Sequence, residues 1–98
     1  MKRDRVEMIV PVDVSADMDA GTILEYDSTN HYYTAYSSGT PVAVLLEDVT
    51  AGQSPATAKV LFEGEIDEDD LASTPDEDVK AALRNVGIYV ISTTNVNY

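Results

Sequence analysis

The chain has 98 residues with eighteen acidic against six basic side chains, a formal net charge of −12. At this length it builds one domain with a modest core, because only about two thirds of the unfolded surface can be buried. A field of that sign repels phosphate backbones and anionic lipid, which argues against direct nucleic-acid binding and membrane-surface binding. A hydrophobic content of 44% is too high for wholesale disorder. The absence of cysteine removes disulfides and thiolate metal sites, leaving packing or oligomerisation to supply stability. The longest apolar run, residues 42–46, is far short of the roughly 20 residues that a membrane helix needs. The basic start is not followed by the apolar stretch of a secretory signal, so the expected site of synthesis is the cytoplasm.

Residues 1–5 hold three basic groups and one acid, so the other 93 residues carry three basic groups and seventeen acids. From Val6 to Val14 the sequence alternates, with Val6, Met8, Val10, Val12 and Val14 on one face and Glu7, Ile9, Pro11 and Asp13 on the other. That is strand periodicity, and Pro11, which cannot donate to a ladder, implies a strand that lies at a sheet edge or pairs along only part of its length. No obvious core partner for this segment is visible in the sequence. Residues 1–19 therefore read as an arm and its connection, residues 20–91 as a compact β-rich body, and residues 92–98 as a polar tail. The candidate contact residues of the arm are Arg5, Val6, Met8, Ile9, Val10, Val12 and Val14.

After a polar, turn-prone connection over residues 15–21, a short strand is expected over residues 22–26. The turn at residues 27–30 uses Asp and Asn, which hydrogen-bond their own backbone, and the aromatic residues 31–36 form the returning strand of a hairpin. Residues 42–46 form a short buried strand. A loop over residues 51–55 leads to a long strand over residues 56–66, bulged or bent at Gly64. Thr74 as a cap, Pro75 at the first position and Glu77 at the third mark a helix start. Its apolar stripe is Val79, Ala82, Leu83 and Val86, Gly87 stops it, and residues 88–91 form a last buried strand. The expected class is mainly β with one helix: a small β-barrel-like body with an extended N-terminal arm.

The residues offer no catalytic arrangement. His31, the sole histidine, falls in a predicted surface turn, and no Ser or Thr spacing identifies a nucleophile for it. The acidic stretch Glu63, Glu65, Asp67, Glu68, Asp69, Asp70 lacks the alternating ligand loop of a calcium site and reads as a solvated acidic loop. No phosphate-cradling glycine motif occurs. The six tyrosines suit core packing or subunit contact better than base stacking, since no basic groove accompanies them. No cofactor and no metal are expected, and the chain reads as a non-enzyme.

The order of elements resembles the lambda-type head decoration family of tailed phages, the capsid-stabilising protein D family. The residues that carry the resemblance are Ala20-Gly21-Thr22-Ile23-Leu24, the run 42–49 closing in Leu45-Leu46-Glu47-Asp48-Val49, Val60-Leu61-Phe62-Glu63-Gly64, and Ala81-Ala82-Leu83 with Gly87-Ile88-Tyr89-Val90. Ala43 stands where family members often carry glycine, and the chain runs further past Val90. The resemblance implies a structural virion protein that sits on the outer capsid surface as a homotrimer at local three-fold positions and stabilises the expanded shell. An N-terminal arm would then add a strand to the major capsid protein, main-chain bonds giving affinity and alternate side chains giving register. Subunits of −12 repel one another, so free trimers are expected to be weak at low salt. The alternative reading, from another class, is an acidic regulator that mimics nucleic acid and occupies a basic site on a DNA-binding protein.

Overall fold

The computed structural model describes residues 5–91. The chain is mainly β with one helix. In order, the elements are β1 (Val6–Pro11), β2 (Ile23–Asp27), β3 (Tyr32–Ala35), β4 (Ala43–Leu45), β5 (Thr57–Asp67), α1 (Glu77–Asn85) and β6 (Ile88–Ile91), with a 3-10 turn at Glu68–Asp70 between β5 and α1. Five strands lie in the order β1-β5-β4-β2-β3, all pairs antiparallel, and β6 adds to β5 in parallel. A single parallel bridge from Val12 to Tyr33 brings the two ends of this order together, so the sheet curls towards a barrel.

β5 is the spine. Its first half pairs with β1 on one edge and β4 on the other, and Gly64 to Asp67 pair with β6. An extra residue, Phe62, bulges the ladder between Val6 opposite Glu63 and Glu7 opposite Leu61. The bend expected at Gly64 follows immediately, with φ at +130°, a conformation that L side chains rarely adopt. Arg5 packs onto the space a side chain would need, its Cγ 2.9 Å from where a Cβ would sit.

The core has two parts because the sheet is covered on both faces. Val10, Val12, Met18, Leu24, Ala43, Leu45, Val49, Ala58 and Val60 pack inside the curl, joined by Tyr33 and Phe62. Val44, Leu61, Ile66, Leu71, Val79, Leu83 and Ile88 pack on the other face beneath α1. β4 is buried at all three positions, which explains why its sequence is a continuous apolar run without alternation.

α1 starts two residues later than its sequence suggests. Asp76, not Thr74, is the cap, its carboxylate accepting from the Val79 N–H at 2.9 Å. Pro75 is buried instead of opening the helix. Val79 and Leu83 supply the buried stripe, whereas Val86 at its end is exposed.

The expectation that the N-terminal segment has no core to join is corrected. Val10 and Val12 lie in the inner core, and the stretch read as a connection is tied down along its length. Met18 is buried and bridges Val49, the Asp17 carboxylate accepts from Ala51 N–H at 2.7 Å, and Asp48 accepts from Ala20 N–H at 2.8 Å. Gly21 closes the stretch, its N–H donating to the Leu45 carbonyl and its Cα pressed against the backbone of Asp70 to Ala72. No side chain fits there. The physical reason for the error is that single bridges and carboxylate-to-backbone bonds fix a polar segment without leaving a hydrophobic period in it.

Candidate functional site

β1 is an edge strand, and its hydrogen-bond parity defines what that edge offers. Val12 N–H donates to the Ala56 carbonyl at 3.0 Å, so by antiparallel alternation Val10 and Met8 also direct their backbone groups to β5. Glu7, Ile9, Pro11 and Asp13 direct theirs outward. Asp13 N–H is taken by the Tyr33 carbonyl at 2.8 Å, where the sheet curls back on itself. Pro11 has no N–H. The open stretch of edge is therefore Glu7 to Ile9, two N–H and two C=O groups.

This stretch is also where apolar side chains meet solvent. Ile9 is 70% exposed, Met8 52% and Val6 38%, the highest values among large hydrophobic residues being those of Ile9 and Met8. Arg5 Nε lies 3.1 Å from Glu7 Oε2, and Lys59 Nζ lies 4.0 Å from Glu7 Oε1. Exposed pairs of this kind contribute little stability. Their effect is on the field: two of the four basic residues in the described chain, Arg5 and Lys59, stand here beside Glu7, with Glu47 accepting from the Lys59 backbone N–H at 2.8 Å.

The seven candidate contact residues thus divide. Arg5, Val6, Met8 and Ile9 are exposed, whereas Val10 and Val12 are in the core and Val14 is half-buried against it. Sequence periodicity put Ile9 on the polar face, in keeping with its exposure, but did not identify its backbone as part of the open edge. It also missed Glu7, whose backbone belongs to the open edge. The signal for both was Pro11, which marks the edge strand and hence the side from which backbone groups face outward.

The other acidic and aromatic features have local structural partners. The acidic stretch runs into the 3-10 turn, where Asp67 accepts from the Asp69 N–H at 2.9 Å and Lys80 reaches Glu68 at 3.4 Å. Among the described residues no group of three or more His, Asp or Glu side chains is placed to hold a metal ion. His31 sits at the β2–β3 turn with φ at +60° and its Nδ1 3.4 Å from the Tyr26 hydroxyl. A cleft of about 380 Å³ between α1 and β6 is lined by Glu65, Glu77, Lys80, Arg84 and Tyr89, a charged surface in which Lys80 Nζ lies 3.4 Å from Glu77 Oε2.

Three carboxylates hold the hairpin and the curl. Ser37 and Gly39 donate backbone N–H groups to Glu25, each at 2.9 Å, and keep its carboxyl below the usual range. Asn30, through side chain and backbone, does the same for Asp27. Asp13 is lowered by the Ser15 N–H and hydroxyl and by Thr34, whose hydroxyl donates to it at 2.9 Å. These are fixed turn and tie points, not groups poised for proton transfer at neutral pH. No protein-family model matches the chain, and no curated protein matches it.

Proposed function

We propose that the protein is a structural subunit of a phage-type particle. It binds the outer surface of the expanded capsid as a trimer and stabilises it, with β1 offering its open edge to a strand of the major capsid protein. The observation that carries this reading is the open edge itself. The body leaves the outward backbone groups of Glu7 and Ile9 without a strand partner among the described residues, and Met8 and Ile9 in solvent, the requirements for strand addition.

The geometry alters how such binding would work. A wholly disordered arm would lose about 1 to 2 kcal/mol of conformational entropy per residue on ordering. β1 is already ordered on β5, so that cost is largely met within the fold and the edge is presented in register. Three copies engaging at once multiply a modest single contact.

Deleting residues 1–14 would remove Val10 and Val12 from the core together with the open edge. Ile9→Asp changes only the exposed edge. On purified expanded shells the wild-type protein should saturate its sites and Ile9→Asp should fail to bind while unfolding at the same urea concentration as wild type. Undiminished shell binding by Ile9→Asp would refute strand addition at this edge.

A further inference from the structure

An open strand edge with apolar side chains is a template for any chain that can pair with it, and soluble proteins cover such edges. In the isolated protein, residues 7–9 are uncovered among the described residues. We infer that two copies of the chain cover each other here, β1 against β1, antiparallel about a two-fold axis passing through Met8. This inference does not rest on the capsid reading, since it concerns the protein alone.

The register follows from the parity already established. Outward-facing Glu7 of one copy meets outward-facing Ile9 of the other, and the reverse, so all four N–H and C=O groups of each open edge find partners. Met8 then falls opposite Met8 in the close, non-hydrogen-bonded position on the axis. On the opposite face the two Ile9 side chains become diagonal neighbours, each beside a Glu7. One register step further, Arg5 would face Pro11, which has no N–H to give. The ladder therefore stops after four main-chain bonds, and the contact is self-limiting. It cannot grow into a fibre, because a two-fold pairing uses the same patch on both copies.

Charge opposes pairing less here than over the acidic surface at large. Copies of net charge −12 repel, but at this edge Arg5 and Lys59 stand against Glu7, with Glu47 bonded to the Lys59 backbone N–H, whereas Lys80, one of the two other basic residues described, is engaged by Glu68 and Glu77. Two acidic molecules approach at lower cost where each is locally less acidic. A four-bond contact between repelling subunits is also readily reversed, so the pairing protects the edge without locking it.

The chain has no cysteine, which makes the test direct. Residues on a two-fold axis cross-link to themselves, and Cα atoms in a close antiparallel pair are about 4.5 Å apart, within disulfide range. Met8→Cys should form a disulfide dimer under mild oxidation at least about tenfold faster than Ile9→Cys, whose copies are offset along the strands. Random collision gives the opposite order, because Ile9 is the more exposed, at 70% against 52%. In sedimentation experiments without oxidant, Ile9→Asp places like charge beside Glu7 and should lower the dimer association constant roughly tenfold or more, while Ile9→Lys should retain the dimer. Faster cross-linking through Ile9→Cys, or a wild-type protein that stays monomeric at millimolar concentration, would overturn the pairing. Neither measurement uses capsids, so loss of the dimer and loss of shell binding are separate results.

Discussion

Residues 6–9 and residues 10–18 both contain regularly spaced apolar side chains, yet the first stretch leaves Met8 and Ile9 in solvent while the second buries Val10, Val12 and Met18. The two are continuous in the chain, and the second leaves β1 after Pro11 to bridge Tyr33 and then Val49. They differ in what stands across from them. Beyond Pro11 the sheet curls, Asp13 reaches Tyr33, and the inner core closes around Val12. At Glu7 to Ile9 there is β5 on one side and, among the described residues, no strand on the other. A period of two thus specifies a strand and its faces, but not whether the second edge is filled by the same chain or a different one.

The contrast can be broken most severely by deleting residues 1–12. This removes the β1–β5 ladder with Val10 and Val12, and the expected outcome is loss of the cooperative thermal transition. A well-folded truncated protein would mean that the buried half is dispensable and that the two halves do not differ. Next in size is a matched pair of substitutions. Val12→Asp buries a charge without a partner and should cost about 3 kcal/mol or more in urea denaturation. Ile9→Asp, at an exposed site, should stay within about 0.5 kcal/mol of wild type.

The helix provides a control in a region where nothing is left open. Asp76→Ala removes the cap and should cost about 1 kcal/mol, whereas Thr74→Ala should cost only a few tenths. The smallest effect expected is with acid. The folded-state pKa values of Asp13, Glu25 and Asp27 lie below the ordinary 3.8 for Asp and 4.5 for Glu. A lowered carboxyl pKa contributes stability that is complete above the ordinary value and is lost as pH falls through the folded one. Amide exchange of residues 33–39 should therefore speed up as pH is taken below about 4, after correction for intrinsic rates, while exchange in α1 changes less. Glu25→Gln should remove part of that dependence. Because Asp13 ties its segment to Thr34, acid should make the closed half of the edge behave more like the open half.

Much of this fold was legible in the sequence. The β2–β3 hairpin follows from its aromatic, β-prone residues and from Asp27, whose carboxylate does accept from the Thr29 and Asn30 N–H groups. β4 follows from its apolar run, the bend in β5 from Gly64, and the buried helix stripe from Val79 and Leu83. What could not be read was pairing at a distance. Met18 bridging Val49, Val12 bridging Tyr33 and Asp17 capping the loop at Ala51 are each single contacts between residues far apart in the chain, and none leaves a local pattern. The helix cap was misplaced for a different reason: Thr74-Pro75 and Asp76-Glu77 are both acceptable starts, and the burial of Pro75 decided between them. The candidate site was legible in outline, through alternation and Pro11, but its exposed half could be separated from its buried half only once β5 and β3 were in place.

The central position of β5 has a mechanical consequence. A pull on β1 directed along its own axis loads the β1–β5 ladder in shear, with hydrogen bonds that lie across the direction of force strained together. A pull perpendicular to the strand would peel the same bonds apart one at a time. β5 is eleven residues long and lies in both core clusters, so an axial load passes into the whole body. A partner paired with residues 7–9 would therefore be held most firmly when it pulled lengthwise along the strand, and released most easily when it lifted away from the sheet edge.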